Sequence, residues 1–497
     1  MLSLRNYLRA MSEERGKSDL FCFGFRSDNT KAFYISETNT HKMLTKIAIE
    51  NFKSIGRRIE IELKPLTIFV GPNASGKSSI LEALPLLVQS IGESRYDYRG
   101  EHYPHLVSYP SFEDIVHKRN SEKKMSIEIH VKLEESERKT LSELGKEINK
   151  RKLGVSIDEE ITSVGYRYSG CKLMNKWYYA EQEIFCNEKK VTGVKVEYTK
   201  IDEHGATSRS IFTFPPILKK TTPESPSNYV LHHSAFKQGN NVVESAKPLN
   251  DFASKVVDII VSRLKPEPNK SKVYLLSALR GKIDYEVKTD RFYEWVGKNG
   301  ENLISVLAQV STPKWERKRE KIRKWALEFG IKDPWGGWSG SNKASGEYID
   351  SELNIPLNLA FTSYGSSQIL TVIAQLFWSE EGDIILIEEP EISIHPKGQA
   401  KLPELFADAI KEGKQIIITT HSGYLPLALS RALKRGLKAD DIAVYEVTKD
   451  KKGTKVERKE INEKGYIKGW IKSFYDVEEG LIKEWSKSIP EPLLEEE

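Results

Sequence analysis

Five side chains in this sequence have the types and settings that phosphate chemistry needs: Lys77, Ser78, Glu388, Glu389 and His421. Lys77 and Ser78 lie in the run Gly71-Pro72-Asn73-Ala74-Ser75-Gly76-Lys77-Ser78-Ser79, which fits G-x-x-x-x-G-K-[ST]. In such a loop the backbone N–H groups and the N-terminus of the following helix form a positive concavity for phosphate oxygens. Gly76 removes the side chain where the backbone must approach closely. Lys77 supplies a mobile ammonium to the β- and γ-phosphates of ATP, and the Ser78 hydroxyl can ligate Mg²⁺. Glu388 and Glu389 end an apolar run that follows Asp383. In that setting the first carboxylate holds Mg²⁺ through its water shell, and the second orients or deprotonates an attacking water. His421 follows a third apolar run, Gln415 to Thr420, and puts a titratable ring at the end of it.

These groups can meet only if strands and helices bring their ends together. The run Leu66 to Val70 predicts a buried strand feeding the loop, and Ile80, Leu81, Leu84, Leu87 and Val88 recur at helical spacing behind it. Upstream, Leu44 to Phe52 and Arg58 to Leu63 alternate as two half-buried antiparallel strands around a turn at Lys53-Ser54-Ile55-Gly56. Downstream, Met125–Leu133, Val164–Tyr168, Trp177–Phe185, Val191–Tyr198 and Ser210–Phe214 predict one meandering antiparallel sheet. A charged helix from Glu134 to Arg151 interrupts it, with Leu141, Leu144 and Ile148 as its apolar stripe. The proline-rich stretch Pro215 to Asn228 reads as a lobe boundary. Beyond it come a helix over Phe252–Leu264, a short buried strand at Val273–Leu276, an apolar helix over Ile369–Phe377, a strand at Ile442–Val447 and an aromatic-rich helical tail over Gly465–Trp485.

Composition narrows the function classes. The chain has 497 residues, 39% hydrophobic and 30% charged, as a globular protein with a dense charged surface has. No apolar run reaches the roughly 18 residues that span a bilayer, so membrane insertion is not expected. Cys22, Cys171 and Cys186 make neither a disulfide framework nor a metal-ligand spacing, which points to a reducing, cytoplasmic setting. A net charge of +5 carries no argument for nucleic acid by itself. The local candidate is Lys314, Arg317, Lys318, Arg319, Lys321, Arg323 and Lys324, read as one helix with Trp315 and Trp325. Either it meets nucleic acid or an acidic partner, or it is a solvated face partly neutralised by Glu316, Glu320 and Glu328.

Ile49-Glu-Asn-Phe-Lys-Ser-Ile55, the phosphate loop, Asp383 to Glu391 with its His395-Pro396 continuation, and the strand ending in His421 together resemble ABC-type ATPases of the SMC, RecF and OLD (overcoming-lysogenization-defect) groups. The order strand, Arg280-Gly281, then Val296 to Leu303 resembles the second half of such ATPases. The resemblance implies an α/β fold: a P-loop NTPase of ABC-ATPase type with an added antiparallel β subdomain and a helical signature subdomain. It makes Lys53 and Ser54 nucleotide contacts and His421 a switch that hydrogen-bonds the γ-phosphate. It also places the signature, which faces the other protomer's ATP, at Ser363-Tyr364-Gly365-Ser366-Ser367-Gln368. Aligning Gly365 with the first signature glycine puts Tyr364 at the usual serine, so Ser366 and Ser367 are the candidates to replace it.

The expected domains are an N-terminal extension at 1–42, the first part of the ATPase domain at 43–133, an inserted β/helical region at 134–270, the second part at 271–460 and a helical tail at 461–497. OLD nucleases carry a further Toprim nuclease domain, and with only 76 residues after His421 (497 − 421) none is expected in this sequence. The expected function is an ATPase that dimerises around ATP in a DNA-linked process, with nucleic acid and a separate effector protein as possible partners. The alternatives are the energising subunit of a membrane transporter and an ATP-gated scaffold with little hydrolysis.

Overall fold

The computed structural model describes residues 43–91, 99, 106–152, 154–173, 177–202, 205–214, 225–226, 247–265, 272–289, 291–339, 342–469, 480–481 and 484. The expected peripheral extension, 1–42, and most of the proline-rich stretch lie outside them.

Strands β1 (Leu44–Glu50) and β2 (Ile59–Glu62) form the expected antiparallel pair, and β3 (Leu66–Val70) runs into the phosphate loop and helix α1 (Lys77–Ser90). Next come β4 (Met125–Lys132), helix α2 (Glu135–Arg151), β5 (Ser163–Leu173), β6 (Trp177–Cys186), β7 (Lys189–Asp202), β8 (Gly205–Phe214) and β9 (Ser225–Pro226). They build one antiparallel sheet in the order β2-β1-β4-β5-β6-β7-β8-β9, so the meander continues directly from the N-terminal pair. Helix α2 packs Leu141 and Ile148 inward, as its sparse stripe predicts, and a capping box between Glu134 and Glu137 starts it.

Helix α3 (Lys247–Leu264) leads to β10 (Val273–Leu276), β11 (Val287–Lys288), α4 (Leu303–Val310), α5 (Glu316–Glu328), β12 (Lys332–Trp338), β13 (Lys343–Ile349) and β14 (Pro356–Asn358). Helix α6 (Tyr364–Trp378), β15 (Ile384–Glu388), α7 (Leu402–Ile410), β16 (Gln415–Thr420), β17 (Ile442–Asp450) and β18 (Gly453–Lys459) follow. The second sheet has the order β10-β15-β16-β3-β17-β18 and is parallel except for its β18 edge. Strands β10, β15, β16 and β3 are buried on both faces, as a doubly covered parallel sheet requires. Phe69, Leu386 and Ile417 pack with α1, α3 and the antiparallel sheet, whereas Ile68, Ile385, Ile387 and Ile418 pack with α4, α6 and α7. A small third sheet, β11-β13-β12 with β14 on β13, stands beside α4.

Three local expectations change. Helix α6 starts at Tyr364 instead of Ile369, because Ser363 caps it by accepting the Ser366 N–H at 3.1 Å. Residues 461–469, the start of the expected helical tail, form a turn closed by an Ile461–Ile467 bridge; of the rest of that tail only 480, 481 and 484 are among the described residues, and these are helical. Asn462 Oδ1 accepts the N–H groups of Lys464 and Tyr466, and Gly465 takes φ 84°. Finally, Lys314 and Trp315 lie in a short 3-10 turn before α5, and four of the seven basic residues are engaged within the chain. Lys318 pairs with Glu380, Arg319 with Glu316, Lys321 with Glu412 and Arg323 with Asp333, leaving Lys314, Arg317 and Lys324 exposed.

Candidate nucleotide site

The C-terminal ends of three adjacent parallel strands meet at one edge of the second sheet. Strand β3 delivers the loop at Gly71, β16 delivers His421 and β15 delivers Glu388 and Glu389. Ligands of open α/β sheets bind at such carboxyl ends.

The loop is gripped from the β17–β18 side. A Cβ on Gly71 would meet the Val447 carbonyl at 2.1 Å, and one on Gly76 would meet Thr454 Oγ1 at 2.1 Å. Gly76 also takes φ 109°, which only glycine adopts without strain. The Thr454 hydroxyl donates to the Ser75 carbonyl at 2.9 Å and lies 2.8 Å from Ser54 Oγ, which in turn lies 3.0 Å from Ser79 Oγ. Ser54 thus braces the loop through Ser79 and Thr454.

Lys77 is 5% exposed, and its ammonium donates to the carbonyls of Gly71 at 2.9 Å and Pro72 at 3.0 Å. Its Nζ also lies 3.0 Å from His421 Nε2, and the same ring nitrogen is 3.1 Å from Glu389 Oε1. A single ring nitrogen either accepts from Lys77 or donates to Glu389, so the ring is contested between the two. Hydrogen bonding from His421 holds the Glu389 carboxyl below its ordinary range, with the charges of His421, Lys77 and Arg280 adding to it against burial. Burial pulls the Lys77 ammonium down to about 8, with Glu389, Glu391 and Glu388 opposing.

That shift has a measurable sign. Phosphates favour charged lysine, so MgATP binding at pH 8.5 should take up protons, and affinity should fall as pH rises through about 8. Calorimetry in buffers of different ionisation enthalpy reads the uptake. A binding heat independent of buffer would contradict it.

A cavity of about 600 Å³ opens over the loop, lined by Lys53, Ser54, Asn73 through Ser79, Glu389, His421 and Lys449. Lys53 pairs with Glu82 and stands 5.0 Å above the Tyr109 ring. The residues fit a nucleoside triphosphate: the cavity has three lysines, a helix N-terminus and Gly76, where a Cβ would collide with the loop's supports. For Mg²⁺, Ser78 lines the cavity, whereas Glu388 does not and accepts the Ala278 N–H at 3.3 Å. Glu388 would therefore act through the metal's water shell.

The signature residues are not part of this cavity. Gly365 and Ser366 line a separate cleft of about 440 Å³ with His395, Lys397 and Lys401. Ser367 is 4% exposed and Gln368 fully buried, so neither side chain faces outward to a second protomer. Gly365 is required by proximity, since a Cβ there would meet the Ser393 carbonyl at 2.2 Å.

Three contributors escape a motif reading. Glu391 Oε1 accepts Thr420 Oγ1 at 2.7 Å and the N–H groups of His421 at 2.7 Å and Ser422 at 3.1 Å, so it ties the β15 end to the β16 end and sets His421 in place. The signal for it was the third carboxylate of Glu388-Glu389-Pro390-Glu391. Thr454 and Lys449 come from a hairpin far along the chain, and nothing local in the sequence marks them.

The AAA ATPase domain matches residues 43–425. The chain is 22% identical over 387 residues to the OLD nuclease of Thermus scotoductus, an alignment covering 76% of this chain and 59% of that protein. It therefore spans under two thirds of that relative's length. Similar solved structures include the SMC head bound to the C-winged helix domain of ScpA, at 13% identity, 84% and 97% coverage and a TM-score of 0.44. The SMC head domain from Thermotoga maritima is 12% identical, with 84% and 99% coverage and a TM-score of 0.37. With the family match extending over most of its length, the chain belongs to the AAA ATPase domain family.

Proposed function

We propose that the chain hydrolyses MgATP and closes around it as an ABC-type homodimer, serving a DNA-linked process. The observation that carries this reading is the convergence of Lys77, His421 and Glu389 within 3.0 and 3.1 Å at neighbouring strand ends. Lys77 and the loop amides hold the phosphates, and binding moves Lys77 off the Gly71 and Pro72 carbonyls. His421, released from Lys77, donates to the terminal phosphate, and Glu389 accepts a proton from the attacking water. Mg²⁺ would offset the charge on the phosphate oxygens, held by Ser78 directly and Glu388 through water.

Dimerisation is supported by the placement of Gly365 and Ser366 in a different cleft from Lys77. A site completed by the partner's α6 N-terminus makes ATP an interfacial ligand. Mixing a Lys77→Ala chain with one altered at Gly365 and Ser366 should restore activity, because one heterodimer site is intact. If protomers exchange and no activity returns, the trans arrangement fails.

Nucleic acid and a separate effector protein are the proposed partners, by likeness to OLD-type ATPases. Of the basic helix, Arg317 and Lys324 are the exposed members that remain candidates. Weak duplex binding that falls with salt and with Arg317→Glu and Lys324→Glu supports the contact. Binding indifferent to both removes it.

A further inference from the structure

Arg280 is a cation in the protein interior, 1% exposed, and its guanidinium donates to three main-chain carbonyls. Nη1 donates to Ser277 O at 2.7 Å and Glu388 O at 2.6 Å, and Nη2 donates to Glu389 O at 3.1 Å. Burial pulls the guanidinium down to about 10, with Glu391, Glu388 and Glu389 opposing, so it stays charged at neutral pH.

The segment it holds is strained. Glu389 has φ 45°, the left-handed region that a glutamate side chain disfavours, and its N–H donates to Thr419 O at 2.9 Å. Strand β16 therefore fixes the residue's amide, and Arg280 fixes its carbonyl and the one before it. The backbone pinned this way presents the Glu389 carboxylate 3.1 Å from His421.

The next residue joins this clamp to α6. Gly281 has φ 86° and donates to Asn299 O at 2.9 Å, and a Cβ on it would meet Ser367 C and Gln368 N at 2.8 Å. Arg280-Gly281 is thus wedged between the β15 end and the first turns of α6.

We propose that Arg280 is the positioning residue of Glu389, holding its backbone so that the carboxylate faces the water and the γ-phosphate, and that Gly281 ties this position to α6. The inference rests on the ATPase reading above. It adds a route by which a partner's ATP, pressing on the α6 N-terminus, reaches the chain's own Glu389.

The test uses the full chain. Arg280→Lys keeps a charge but cannot serve three carbonyls in one plane; Arg280→Gln is the second variant, for use where the first does not fold. The expected result is a MgATP dissociation constant within about threefold of wild type and a kcat lower by roughly 100-fold, as when a general base is misplaced. Gly281→Ala should lower kcat at unchanged affinity. Next, the Arg280 substitution is placed in a Glu389→Gln background and single-turnover rates are compared. A residue acting through Glu389 then adds less than about a twofold loss, because the two act as a unit. Losses that multiply, or wild-type kcat in the single variant, would overturn the inference; wild-type kcat in Gly281→Ala would remove the tie to α6. A wild-type chain that neither binds nor hydrolyses MgATP would instead overturn the ATPase reading, and the two failures are separate.

Discussion

Replacing Lys77 with alanine raises the dissociation constant for MgATP by roughly 100-fold, the worth of a charge-assisted contact in a desolvated site. The ammonium already sits at the cavity floor, held by the Gly71 and Pro72 carbonyls, and needs only to turn towards incoming phosphate. Its burial makes the effect large, because water screens little of its charge there. The fold should survive, because the substitution removes a cation that burial already disfavours. Titration calorimetry on the alanine variant checks the expectation, and unchanged affinity would remove Lys77 from the phosphate site.

Glu389→Gln has the opposite signature: binding stays and hydrolysis falls by roughly 100- to 10,000-fold, the range for loss of a general base. The amide keeps the shape and can still meet His421, but it cannot take a proton from water. One side effect carries a sign. Glu389 is the first of the carboxylates that hold the Lys77 pKa up against burial, so its removal should let that pKa fall below about 8. Affinity for MgATP should therefore match wild type at pH 7 and drop at a lower pH than in wild type when the solution is made basic. With hydrolysis blocked, MgATP should shift sedimentation of this variant towards a dimer. Wild-type turnover in Glu389→Gln would move the chemistry to another residue.

The core of the site was legible because it is locally written. Three apolar runs, each bounded by a change to polar residues, could only be buried strands, and the loop, the paired glutamates and His421 stand at their ends. What was not legible depends on distant pairing. Thr454 reaches the Ser75 carbonyl across 379 residues of sequence, and no periodicity records that meeting. The start of α6 was displaced because Tyr364-Gly365-Ser366-Ser367 has weak helix propensity, which the Ser363 cap and packing against Ser393 override. The basic stripe of α5 looked like an open surface since its partners Glu380, Glu412 and Asp333 lie on other elements. Glu391 stood in view within the motif, but its three donors come from the next strand.

The most direct test of the ATPase reading is the count of phosphate released per wild-type chain at saturating MgATP, with bound nucleotide measured on the same sample. A catalytic site made of Lys77, His421 and Glu389 should release many phosphates per chain, and release should be lost in Glu389→Gln while nucleotide remains bound. At most one phosphate per wild-type chain, with nucleotide bound, would contradict it and leave a nucleotide-gated scaffold.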